Sequence, residues 1–285
     1  MRFWARRRQP KSHGRESRGA CPGGCHGSMM ASMLASVLSV LLLALPALSE
    51  AVADGYHPPP DPGPHPACPA DMRLVQGIHD DEMERLCLRE KNDRCWSYVP
   101  HAVTTDGLRR SMRFCMDPYE APNERGARPF VMKDFHQSQQ WCEARGKRLC
   151  SEQEFETACE GPQVEPYFYG WAVDTSVCNS NKPWKAFDAA KLSAGGADAR
   201  KEVERLWQGT ASGAMQRCMT RDGIYDLLGN VEEWVTSREG RRWPGALMGG
   251  FWAKPWTGCR GTNDAHEPKF TFYEVGFRCC KDATP

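Results

Sequence analysis

Trp141 to Cys159 reads WCEARGKRLCSEQEFETAC, which places a helix end, a helix start and three cysteines in nineteen residues. Gly146 can take the left-handed conformation that closes one helix, and Ser151 with Glu154 has the spacing of a capping box that opens the next. Two helices therefore meet at a tight corner. Upstream, Asp134 is placed to cap a helix running to about Arg145, with Phe135, Trp141 and Cys142 on its buried side. Downstream, Phe155, Ala158 and Cys159 fall at i, i+3 and i+4 and bury one helical face. The corner reads as part of a disulfide-stapled core.

Whether those cysteines pair depends on the compartment. Met29 to Leu48, MMASMLASVLSVLLLALPAL, is an apolar run behind a basic leader, and Ala51-Val52-Ala53 supplies small residues at a cleavage spacing. This pattern predicts a secretory signal and a secreted or periplasmic protein. Its rival is an uncleaved anchor helix, for which about 20 residues suffice, and Pro46 favours cleavage. Beyond residue 53 twelve of the fourteen cysteines remain, an even number that in an oxidising compartment reads as up to six disulfides. Zinc is the alternative, but no Cys-x2-Cys spacing or histidine cluster accompanies them.

The formal net charge of +1 hides a basic leader and a mildly acidic remainder. With no basic stripe, nucleic acid is excluded as the expected partner. Four segments follow: a leader and signal over 1–53, a proline-rich linker over 54–67 expected to be an extended tether, a cysteine-bearing subregion over 68–112 too polar to assign, and a main domain over 113–281. Within the last, Arg113 to Glu120 reads as a short strand entering a turn, and Asp198 to Trp207 as a helix. Short apolar pieces split by glycines follow Cys218, which suits an α+β fold with short strands and much ordered loop.

Three motifs then occur in fixed order: Asp226 to Trp234 (DLLGNVEEW), Gly249 to Trp252 (GGFW) and Gly276 to Cys279 (GFRC). Over roughly residues 114–280 the chain resembles the sulfatase-modifying factor family, named for the formylglycine-generating enzyme. The resemblance implies the formylglycine-generating-enzyme-like fold, α+β and related to the C-type lectin fold. It also implies two disulfides, Cys142 with Cys279 and Cys159 with Cys259. Adjacency in the sequence adds Cys150 with Cys280, and Cys178 with Cys218 is expected to close the irregular stretch between them; the pairing of Cys68, Cys87, Cys95 and Cys115 stays open.

The resemblance also exposes departures. The family's oxidase uses two further cysteines before the structural one, and a soft thiolate pair suits copper(I). Gly249 to Gly258, GGFWAKPWTG, has none, and Lys254 stands where the family has its second catalytic thiol. No copper is expected. Related sulfoxide synthases of thiohistidine biosynthesis need a histidine-rich iron site that nothing before Cys68 supplies. One site carries over: a calcium ion held through the side chains of Asp226 and Glu233 and the carbonyls of Gly229 and Val231, an oxygen set that suits calcium. Spacing alone reads the same stretch as an exposed turn with solvated acids. A second calcium near Asn179 and Ser180 is a further expectation.

Asp117 and Glu120 match family positions and are expected to brace a strand end. Trp243, Phe251, Trp252, Trp256 and Tyr273 cluster along the groove segment and read either as core or as the lining of a site for an extended peptide or sugar. The expected function is an exported member without oxidase activity that binds a peptide or protein partner in the family groove. The alternative is an enzyme of different chemistry there, such as oxidative tailoring in pyoverdine maturation, with its base drawn from Lys254, Asp264 or His266.

Overall fold

The computed structural model describes residues 55–285, so the expected signal segment lies outside the described residues. In chain order the elements are β1 (Arg73–Asp80), β2 (Met83–Lys91), β3 (Arg94–Thr105), β4 (Arg109–Met116), α1 (Phe135–Glu143), β5 (Arg148–Leu149), α2 (Glu152–Glu160), α3 (Ala189–Ala194), α4 (Gly196–Leu206), β6 (Glu232–Thr236), β7 (Gly245–Met248), β8 (Val275–Phe277) and β9 (Cys279–Asp282). They form sheets ordered β1-β4-β9-β5, β2-β3 and β7-β6-β8. No helix among the described residues is long and apolar enough to cross a membrane.

Both helix starts follow from their caps. The Asp134 carboxylate accepts from the Gln137 amide at 2.7 Å, and Gln137 answers on the Asp134 N–H. The Ser151 hydroxyl and the Glu154 carboxylate exchange the same bonds at 3.2 and 2.8 Å. Gly146, at φ +64°, turns the chain between the two helices. Each box satisfies amides that a helix start leaves without partners.

The neighbouring cysteines of β9 explain the two-sided core. Successive strand residues point to opposite faces, so Cys279 joins Cys142 in the cluster of Phe135, Leu149, Trp234 and Phe277. Cys280 joins Cys150 in the cluster of Phe155, Tyr167, Ile224 and Met248 on the other face. The structure further joins Cys159 to Cys259, Cys178 to Cys218, Cys68 to Cys115 and Cys87 to Cys95. Six disulfides among the described residues fit an oxidising, extracytoplasmic environment. By the chain-entropy argument the Cys142–Cys279 bridge, at a separation of 137, stabilises by about 5 kcal/mol, and Cys87–Cys95, at 8, by about 2.5 kcal/mol.

The N-terminal third differs from expectation. Residues 68–112 carry long strands, and a boundary at 112/113 would cut β4, which joins β1 and β9 in one sheet. The strands escaped notice because β2 and β3 form a two-stranded arm exposed along most of its length, with Leu86 and Leu88 facing solvent, so no apolar alternation marks them. The proline-rich segment is not a free tether over its described part. The Tyr56 hydroxyl donates to the Met219 carbonyl at 2.7 Å, and Asp61 accepts from Arg73 through both carboxylate oxygens at 2.9 and 3.0 Å.

Candidate functional site

A cleft of about 570 Å³ opens between the tip of the β2–β3 hairpin and the loop that follows the GGFW motif. The tip is an Asn92-Asp93 turn with φ of +53° and +55°, the geometry that returns a strand tightly on itself. It brings Arg94 and Cys95 to the cleft, and the loop brings Lys254, Trp256 and Gly258. Glu160, buried at the end of α2, fixes the wall from behind: it pairs with Arg85 of the hairpin and accepts from Arg260 Nε at 2.6 Å.

Lys254 is not free in this setting. Its ammonium donates to both oxygens of the buried Glu232 carboxylate, at 2.9 and 3.1 Å. Asp264 faces Arg241 at 3.3 Å. His266 stacks on Phe270 with ring centroids 3.8 Å apart, and burial pulls its pKa below the usual histidine value. Glu274 is the group that sequence reading missed. One of its carboxylate oxygens is buried without a partner, and burial, reinforced by the nearby Glu232, pushes its pKa up to about 8. It is therefore a protonated acid at neutral pH, and nothing in its local sequence marks it.

Of the aromatic residues expected along the groove, Trp256 alone lines the cleft. Phe251, Trp252 and Tyr273 are buried with Val203 and Leu206 in a core cluster, and Trp243 is half-buried under the Arg242 guanidinium. Their density comes from packing. Cys259 is buried in its bridge to Cys159, so it offers the cleft no thiol.

The residues expected to hold calcium lie in a separate, buried cluster. Glu233 is gripped by the Arg278 guanidinium, whose Nε and Nη2 donate to its two oxygens at 2.7 and 2.6 Å. Asp226 accepts from the Gly213 amide at 2.7 Å with one oxygen, and its other oxygen is buried without a partner. Glu120 accepts from Ser212 Oγ at 2.5 Å and from Asn230 Nδ2 at 2.7 Å. Asp117 instead pairs with Lys147 at 2.6 Å at the end of β4. Burial and mutual repulsion raise the Glu120 pKa well above the usual carboxylate range, and burial carries Asp226 up to about 7.

Three carboxylates thus face one guanidinium, and an orphaned Asp226 oxygen marks the deficit of positive charge. That donor set fits a hard divalent cation. No group of three His, Cys, Asp or Glu side chains converges as a metal centre among the described residues. An ion there would rest on Asp226, on what Glu233 has left beyond Arg278, and on the carbonyls of Gly229 and Val231. Gly229, at φ +82°, sits so close to the Asn179 carbonyl that a Cβ would lie 2.5 Å from that oxygen. The Asn179 carbonyl also accepts from the Asn230 amide at 2.8 Å, so the second expected site presses against the first segment.

Residues 87–283, well over half of the chain, match the sulfatase-modifying factor enzyme 1-like domain. The chain belongs to the sulfatase-modifying factor family. The match begins inside β2, so it takes in most of the hairpin arm. Among solved structures the chain is similar to CarF, at 14% identity and a TM-score of 0.47, covering 76% of this chain and 99% of that one. It is similar to PvdO from Pseudomonas aeruginosa at 17% and 0.45, covering 76% and 96%. A variable protein of Treponema denticola follows at 13% and 0.43, covering 74% and 94%. In this family member the groove segment is held by the Lys254–Glu232 ion pair and the Cys159–Cys259 disulfide.

Proposed function

We propose that this exported member of the sulfatase-modifying factor family receives a peptide or protein segment in the cleft and does not carry out formylglycine oxidation. The observation that carries the reading is the Lys254–Glu232 ion pair at the position of the family's second catalytic thiol. With Cys259 locked to Cys159, the cleft offers no thiolate pair for copper(I). Trp256 supplies an apolar face, and the neighbouring charges supply polar anchors, the pattern of a recognition groove.

Two measurements on a sample with a cooperative melt test this. Supplied with copper, the protein is expected to form no aldehyde on a Cys-x-Pro-x-Arg peptide; aldehyde formation would refute the loss of oxidase chemistry. A displayed library of cysteine-free dodecapeptides is expected to yield binders that are lost on Trp256→Ala combined with Arg94→Glu. Failure to enrich any binder sinks the recognition reading.

A second reading, enzymatic tailoring in the same cleft, is favoured by Glu274, a protonated carboxylic acid close to the Lys254–Glu232 pair. For the buried cluster, we propose calcium at Asp226 and Glu233, supported by the excess of buried carboxylates over guanidinium. Bound there, the ion would neutralise charge and tie the DLLGNVEEW turn to β6.

A further inference from the structure

Among the six disulfides one stands apart. Cys87–Cys95 spans eight residues, against forty or more for every other bridge. Cys87 is exposed and Cys95 half-buried, whereas in each of the other five bridges at least one cysteine is buried and neither is exposed. Its place matters more than its exposure. Cys95 lines the cleft beside Arg94, with Lys254 and Trp256, so the cleft holds one reactive sulfur although Gly249 to Gly258 contains none. The Ser97 carbonyl lies 3.0 Å from Cys95 Sγ and 3.8 Å from Cys87 Sγ, a ready acceptor for thiol protons after reduction.

The staple is not the only link between the two strands of the arm. Ladder pairs run from Met83–Thr105 to Lys91–Arg94, with register shifts on either side of Cys87. Exposed bridges are the more readily exchanged ones.

We propose that Cys87–Cys95 is a thiol–disulfide exchange site serving the cleft, which oxidises thiol-bearing peptides bound there; the substrate class rests on the peptide reading above. A substrate thiolate attacks Cys95 Sγ, the Sγ–Sγ bond breaks, and Cys87 leaves as a thiolate that takes a proton from water. A second substrate thiolate then attacks the substrate sulfur of the mixed disulfide and expels Cys95. Two substrate thiols give up two electrons and two protons to become a disulfide, and the cysteine pair gains them. A low-molecular-weight disulfide of the glutathione type, itself reduced to two thiols, resets the pair.

The site of attack distinguishes this from incidental reduction of a surface bridge, which would occur at the more accessible sulfur, Cys87. The native full-length protein is treated with reduced glutathione, and separately with a cleft-binding peptide from the display experiment given a single cysteine. The reaction is quenched in acid and mapped by mass spectrometry after maleimide alkylation. One bridge is expected to open while the other five stay closed, with the added thiol on Cys95 and the maleimide on Cys87. Cys87→Ser is expected to retain the cooperative melt and, given the peptide as its mixed disulfide with glutathione, to take the peptide onto Cys95 stoichiometrically as glutathione leaves as the thiol. A closed Cys87–Cys95 bridge, or the added thiol on Cys87, overturns the proposal. If no peptide is enriched but glutathione still adds to Cys95, the recognition reading fails and the exchange site stands.

Discussion

Glu274 shows how far one residue's chemistry depends on where the fold puts it. Its carboxyl has a pKa of about 8 in the folded protein and an ordinary value of 4.5 when exposed, because burial disfavours the charged form. The folded state therefore holds the proton more tightly than the unfolded state. Its contribution to stability is greatest below pH 4.5, falls between 4.5 and 8, and levels above that. Glu274→Gln is expected to remove this part of the decline. Denaturant unfolding at several pH values across the window checks it, and parallel profiles for both proteins would contradict the assignment. Asp226 and Glu233 were legible as the paired acids of one motif, but their meeting with Arg278 was not. The guanidinium reaches its carboxylate across forty-five residues of sequence, and no local pattern encodes that distance.

At the scale of elements, α2 carries Glu152, Glu156 and Glu160 one turn apart, all buried and all paired with arginine. Glu160 bears the most, since it takes Arg85 from the hairpin and Arg260 from the cleft loop. Removing its charge leaves the largely buried Arg85 guanidinium without a counter-ion and Arg260 with only Glu156, at 4.0 Å, a change that costs about 3–5 kcal/mol. Glu160→Gln is thus expected to lower the urea midpoint by a corresponding amount and to speed proteolytic cutting in the hairpin; an unchanged midpoint would show that the clamp is dispensable. Helix starts could be read from Asp134 and Ser151 because a cap is a local device. The hairpin could not, since an arm wetted on both faces has no apolar stripe.

For the whole molecule, the calcium proposal makes a global prediction. An ion bound only by the folded state raises stability by mass action, about 2.7 kcal/mol at a hundredfold excess over its dissociation constant. Calcium added to chelator-stripped protein is expected to raise the melting temperature, and Asp226→Asn to abolish the rise. A parent protein indifferent to millimolar calcium would count against the site. The α+β class and the family were readable from motif order, while the way the sheets share the core was not, because it is set by strands that pair across most of the chain, such as β4 with β9.

That pairing of early with late bears on how the molecule can be made. Cys142 and Cys150 wait for partners 137 and 130 residues further along. A chain threaded N-terminus first through a membrane would present them to the oxidising side while residues 279 and 280 are still on the other. Cys142, Cys150 and Cys159 lie within eighteen residues of one another, so they can bridge among themselves before those partners arrive. Any bridge formed that way would have to be reshuffled once the partners arrive. Yield should consequently follow the isomerase capacity of the compartment more closely than its oxidising strength.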